Sequence, residues 1–253
     1  MDLKLKGKKA IVTGGTRGIG RAIAELLADE GANVAICARH KEQIDETVAA
    51  LAKKGVKAWG SPVDVADTAA QRAWVAEAAE ALGGLDIFIA NVSALAVAAD
   101  EASWRKSFDV DVMGTVAGVE AALPLLQKSG AGAVVIIGSV AAVEVTGPTR
   151  PYNAVKAALV PYMKSTAQNY ARKNVRVNMV SPGTIYFKGG VWNTREEKQP
   201  ELFKAAMARN PTGRMGKPEE VADAAVFLAS PRASFITGAN LIVDGAITQR
   251  VQF

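Results

Sequence analysis

Tyr152 and Lys156 stand four residues apart, which on a helix puts them on one face, a turn from each other. Pro151 comes just before, and a proline is tolerated in the first turn because its missing N–H has no helical partner there. Tyr152 is thereby placed at the positive end of the helix dipole, which favours a phenolate. A free phenol holds its proton to about pH 10. An ammonium within ~4–6 Å makes a phenol a better acid, and that is the direction general acid–base work near neutral pH needs. Ser139, thirteen residues upstream, ends the apolar run AVVIIGS. That run reads as a buried strand, and a hydroxyl at its end can face the same cavity. Tyr-x-x-x-Lys alone is a weak motif, so the surrounding elements have to support it.

Those elements alternate short β-rich runs with longer helical ones, the pattern of a parallel sheet covered by helices on both faces. Strands are predicted at Ala10–Thr13, Asn33–Ala38, Lys57–Ser61, Asp86–Ala90, Gly132–Ile137, Val175–Val180 and Asn240–Val243. Helices are predicted at Gly18–Asp29, Lys41–Lys53, Thr68–Leu82, Ser103–Gln127 and from Tyr152 to about Arg172, the last kinked at Pro161. No linker, low-complexity stretch or internal repeat divides the 253 residues, so residues 1–253 are expected to form a single α/β domain.

Composition narrows the function classes. Apolar residues make up 49% and charged residues 22%, a globular balance. The net charge of +5 is spread along the chain, without a basic stripe interleaved with aromatics, which argues against nucleic acid. The single cysteine, Cys37, leaves no internal disulfide and fits a reducing compartment. The start, MDLKLKGKKA, lacks the apolar core of a secretory signal. The longest uncharged run, Ser129 to Val143, has 15 residues and is too short to span a bilayer. A cytoplasmic protein without a membrane partner is expected. One histidine and one cysteine give no metal-ligand spacing.

The first strand-to-helix turn is Thr13-Gly-Gly-Thr-Arg-Gly-Ile-Gly20. Gly14, Gly18 and Gly20 let backbone approach a ligand, and the next helix presents free N–H groups to a phosphate. It is not a Walker loop, because Arg21-Ala22 follows rather than Lys-Ser/Thr. Nor is it Gly-x-Gly-x-x-Gly, since Ile23 takes the third glycine's place. With this turn the chain resembles the short-chain dehydrogenases/reductases, whose members carry Thr-Gly-x-x-x-Gly-x-Gly. The resemblance continues through Asp64-Val65, Asn91, Ser139, Tyr152 and Lys156 at the family's spacing. Pro182-Gly183, Arg214-x-Gly-x-Pro-Glu-Glu-Val-Ala and Asp244-Gly245 complete it.

The resemblance implies a Rossmann fold with a doubly wound seven-stranded parallel sheet and a dinucleotide held by Gly14, Thr16, Arg17, Gly18, Ile19 and Gly20. It further implies that Asp64 bonds the adenine amine, that Val65 packs on that ring, and that Asn91, Pro182, Gly183 and Ile185 line the cofactor. The turn Asn91-Val-Ser-Ala departs from the family's Asn-Asn-Ala-Gly but keeps the first Asn. Tyr152 would then donate a proton to a carbonyl oxygen that Ser139 holds, while Lys156 binds the ribose hydroxyls.

Where enzymes using the 2′-hydroxyl cofactor place an acid after the second strand, this chain has Ala38 and then Arg39, and Arg17 adds a second guanidinium. Two guanidiniums suit a 2′-phosphate, which predicts NADP(H). Many family members have Asn where Asp111 stands; Asp111 is kept as a catalytic candidate, the alternative being a helix-surface carboxylate. The segment at about 184–212 corresponds to a substrate lid. It has Phe187 where the family often has a cofactor-touching Thr, apolar Ile185, Tyr186, Val191 and Trp192, and a Gly189-Gly190 hinge. These residues favour a bulky or largely apolar ketone or alcohol. Lys188, Arg195, Lys198 and Lys204 offer either an anion seat or a solvated face.

The Ala- and Val-rich helices Ser103–Gln127 and Tyr152–Arg172, which the family commonly pairs, point to a homotetramer or homodimer, with the tail Ala246 to Phe253 joining. Within the family the likeness to 3-oxoacyl carrier-protein reductases is general. The rivals are a non-catalytic dinucleotide-binding regulator, raised by Asp111 and Phe187, and a serine hydrolase using Ser139. The second has only His40 to draw on and no Gly-x-Ser-x-Gly elbow.

Overall fold

Along each central strand, successive apolar side chains point to opposite faces, so one strand feeds two cores. In the first strand, β1 (Lys9–Thr13), Ala10 and Val12 join one core and Ile11 the other; in β5 (Gly132–Ile137), Ala133, Val135 and Ile137 separate in the same way from Val134 and Ile136. The computed structural model describes residues 1–96, 98–145 and 150–251. The last two residues of the predicted tail contact lie outside them, as does the part of the Ser139-to-Lys156 stretch at 146–149.

The remaining strands are β2 (Asn33–Ala38), β3 (Ala58–Pro62), β4 (Ile87–Ala90), β6 (Val175–Pro182) and β7 (Asn240–Val243), and all pair in parallel in the order β3-β2-β1-β4-β5-β6-β7. The first core packs the sheet against α1 (Gly18–Asp29), α2 (Lys41–Ala52) and α9 (Pro218–Ala229). The second packs it against α3 (Thr68–Leu82), α5 (Gly114–Lys128) and α6 (Pro151–Tyr170). This is the doubly wound Rossmann arrangement. The strand order reverses between β1 and β4, and ligands of such sheets bind beyond the carboxyl ends of the strands at that crevice.

Most boundaries agree with the sequence reading to within two residues. The helix expected over Ser103–Gln127 does not form as one piece. It is α4 (Glu101–Ser107), a π-helical turn over Phe108–Met113, then α5. Periodicity does not separate a π turn from an α turn; the wide turn carries Asp111 at its centre, buried against partners far away in the chain. α6 runs on through Pro161 to Tyr170. The segment 184–212 contains two short helices, α7 (Val191–Lys198) and α8 (Pro200–Ala208). Among the described residues, no helix is long and apolar enough to cross a membrane.

Candidate active site

α6 begins at Pro151, with the extended residue Arg150 ahead of it, so Tyr152 lies in the first turn. Lys156 follows one turn later. Its Nζ is 5.9 Å from the centre of the Tyr152 ring, and the residue is 2% exposed. An ammonium this deep needs acceptors. It donates to the Ile137 carbonyl at the end of β5, at 3.2 Å, and meets Asp111 Oδ1 at 3.2 Å. Asp111 is fully buried, and its Oδ2 accepts the Ala94 N–H at 3.0 Å. The helix-surface alternative for Asp111 is therefore wrong: the π turn delivers the carboxylate to Lys156.

Ser139 lies two residues past β5, buried, and its Oγ accepts the Ala141 N–H at 3.1 Å, which leaves the O–H available to donate. The short turn it opens, Val140–Ala142, packs against α6, so Ser139 and the Tyr152–Lys156 face are neighbours. His40, by contrast, is exposed after β2, with β1 and β4 between it and β5. Strand spacing alone puts it roughly 14 Å away. A Ser139–His40 pair for hydrolysis is not assembled.

The glycine-rich turn closes over the switch point. Gly18 has φ +53°, a left-handed conformation that a side chain strains, and a Cβ there would come within 2.6 Å of the Phe187 ring. A Cβ on Gly20 would lie 2.2 Å from the Gly14 carbonyl oxygen. The turn is thus built to keep bare backbone at the start of α1, whose first turn carries no acidic residue to compete for an anion.

Asn91 serves this turn from behind. Its Nδ2 donates to the carbonyls of Thr13 (3.0 Å) and Gly14 (3.2 Å), and its N–H donates to Thr13 Oγ1. Both amide donors are thus spent on the turn, a bracing role that sequence reasoning missed. Thr13, which also donates to the Ile89 carbonyl, belongs to the same brace. Arg17 and Arg39 are both exposed, and neither pairs with a carboxylate among the described residues. The two lie on one rim, because Gly15 N–H donates to the Cys37 carbonyl and joins the turn to β2. Cys37 itself is buried, and burial pushes its thiol up to about 12, which leaves it unreactive.

Asp64 is exposed and accepts the Ala66 N–H at 3.0 Å, an Asx turn that fixes the loop after β3, while Val65 is buried against Gly114. Pro182 ends β6, and Gly183 N–H donates to the Val243 carbonyl. Ile185 pairs with Gly216, which ties the start of the 184–212 segment to the loop before α9. Thr16 donates to Gln43 of α2 at 3.4 Å, and Ile19 packs on the first core. In the segment, the Phe187 ring is wedged between Gly18 and Gly190, and the Arg195 guanidinium lies 4.6 Å above the Trp192 ring. Burial, then the nearby Arg150 charge, lowers the basicity of Arg195. Lys204 is exposed and pairs with Glu201 at 2.9 Å.

A bare glycine turn at a helix start, with two exposed guanidiniums beside it, fits a dinucleotide whose ribose carries an extra phosphate.

A family profile described as enoyl-(acyl carrier protein) reductase matches residues 14–248. The chain is 38% identical over 253 residues to isoepoxydon dehydrogenase patN of Penicillium expansum, covering 98% of each. It is 35% identical over 254 residues to dehydrogenase/reductase SDR family member 4 of Oryctolagus cuniculus, covering 98% of this chain and 96% of the relative. L-sorbose reductase from Gluconobacter frateurii, solved with NADPH and L-sorbose, superposes with a TM-score of 0.90 at 32% identity, over 99% of this chain and 100% of that one.

Proposed function

The chain belongs to the short-chain dehydrogenase/reductase family, and from that premise we propose that it is an NADP(H)-dependent oxidoreductase interconverting a ketone and a secondary alcohol. One observation carries the reading: a buried ammonium, Lys156, 5.9 Å from the ring of a helix-start tyrosine, Tyr152, at the carboxyl end of β5.

Arg17 and Arg39 would hold the 2′-phosphate and Gly14–Gly20 the pyrophosphate, with Asp64, Val65, Asn91, Pro182, Gly183 and Ile185 around the remainder. NADPH in the L-sorbose reductase structure supports the same cofactor. When bound, the cofactor supplies or accepts the hydride. In the reducing direction Tyr152 gives its proton to the substrate oxygen while the Ser139 hydroxyl donates to that oxygen. Lys156 stabilises the phenolate left behind.

The apolar residues of 184–212, with Tyr186, Phe187 and Trp192 among them, would form a lid over a bulky ketone. Trp104, Phe108 and Met113, exposed at 38%, 50% and 37%, support self-association of the α4–α5 region as a dimer or tetramer. Native mass measurement reads that state.

Tyr152→Phe tests the chemistry. It removes only the acid, so kcat with NADPH and a ketone panel should fall at least ~10²-fold while the Kd for NADPH stays within a factor of two or so. Near wild-type turnover in this variant would exclude Tyr152 as the proton donor. A chain that binds NADPH but reduces no ketone would instead be the regulator.

A further inference from the structure

We propose that Asp111 is a positioning residue that offsets the charge of Lys156, so that Tyr152 faces a neutral ion pair rather than a bare cation and keeps its proton to higher pH during ketone reduction. This inference rests on the acid role of Tyr152 proposed above.

The geometry carries it. Asp111 is 0% exposed and Lys156 2%, so bulk water does not screen their contact at 3.2 Å. The carboxylate is held from both sides. Oδ2 takes the Ala94 N–H, and Oδ1 meets Lys156 Nζ with no hydrogen-bond partner among the described residues. The contact is therefore one of charges, and among the described residues the Lys156 ammonium is the cation that compensates this buried carboxylate. The π turn over Phe108–Met113 is the backbone device that brings the carboxylate inward between two regular helices.

Among the described residues, the elements packed on α6 and the π turn carry few free charges. In α4 Glu101 pairs with Arg105 and Lys106 is exposed, in α5 Glu120 pairs with Arg72, and in β6 Arg176 turns to the end of α9. Lys156's own helix contributes the Tyr152 ring, and Arg150 at its head. β5 contributes only the Ile137 carbonyl. The loop after β4, Val92–Leu95, has no titratable side chain, and neither has the turn Val140–Ala142. Glu144, beyond that turn, accepts the Gln249 N–H. Asp109 on the π turn is exposed. Arg150, Glu144 and Asp109 are the same in wild type and variant, so replacing Asp111 alone isolates its charge.

Asp111→Asn keeps the shape and an acceptor for Ala94 but removes the negative charge. The phenol then faces an uncompensated ammonium and releases its proton more readily. Ketone reduction, which uses the protonated phenol, should therefore fade at lower pH. The limb at which kcat declines should move down by about one pH unit, since a unit charge a few ångströms behind Lys156 is worth that much in a partly buried site.

A second readout needs no turnover. In the protein without cofactor, phenolate absorbance, taken as the difference from Tyr152→Phe in the same background, should appear at lower pH in Asp111→Asn by the same amount. Asp111→Ser, smaller and equally neutral, gives the measurement again should the Asn variant fail to fold. Coincident limbs and coincident titrations in wild type and neutral variants, with only a uniform drop in kcat, would assign Asp111 a purely structural role and overturn the proposal. A shift to higher pH would overturn it equally. Either result leaves the acid role of Tyr152 intact as long as Tyr152→Phe is inactive; an active Tyr152→Phe removes that role and this inference with it.

Discussion

A 2′-phosphate carries close to two negative charges, and a site selects for it by holding cations that its rival, a hydroxyl, cannot use. Arg39 follows β2, exposed, and Arg17 stands exposed just ahead of α1 across the Gly15–Cys37 backbone bond. With no carboxylate claiming either side chain among the described residues, each can turn to an incoming anion. A hydrogen bond to a charged group is worth about 1.5–3 kcal/mol, so Arg39→Asp should lower the NADPH-over-NADH ratio of kcat/KM by roughly ten- to a hundredfold, with the loss concentrated in KM. An unchanged ratio would leave cofactor choice to other residues.

At this scale the charges were readable from residue type and spacing alone. Partners were not. Asp111 could be read as a surface carboxylate, and the bracing of the glycine turn by Asn91 went unread, because their contacts with Lys156 and Thr13 are made across 45 and 78 residues of chain.

Elements are more legible than contacts, since helix starts and strand ends are set locally. α1 and α3 have the predicted bounds. Asp67 caps α3 through the Ala70 N–H, Gly83 closes it in the left-handed region, and β5, like β2 and β7 after their leading Asn, is a continuous apolar run. Arg176 shows what such signals omit. It leaves β6 to donate to the Leu228, Ala229, Ser230 and Ile236 carbonyls, and so caps the end of α9 from a distant strand.

The start of α9 is bound more locally. Glu220 accepts from both Arg214 and the Lys217 N–H, and those bonds hold its carboxyl at about 2 instead of 4.5. A carboxyl lowered on folding stabilises fully above its unfolded value, and the contribution fades as pH falls toward the folded one. The thermal midpoint gap between wild type and Glu220→Gln should therefore be widest above about pH 5 and shrink by pH 3. A gap independent of pH would mean that the charge is not what ties residues 212–217 to α9.

Over the whole molecule, the switch point between β1 and β4 gathers residues from most of the chain onto one edge of the sheet. The glycine turn comes from the first half of the chain. Ser139, Tyr152 and Lys156 come from the second, and the segment at 184–212 reaches back across the crevice. Its Phe187 ring seats on Gly18, the residue that opens α1, so the two halves touch where a pyrophosphate would approach the helix. If that segment is a lid, a dinucleotide held beneath it must order both partners of this contact together.

Limited trypsin digestion reads the ordering directly. NADPH should slow cleavage at Lys188, Arg195 and Lys198 several-fold, while cleavage at Lys128, exposed at the end of α5 on the opposite edge of the sheet, should be unaffected. Phe187→Ala removes the ring that joins the segment to the turn, so protection should weaken in that variant even at saturating NADPH. Equal protection of Lys128 would mean that the ligand stabilises the fold globally by mass action. Undiminished protection in Phe187→Ala would show that the segment closes by contacts other than the one onto Gly18.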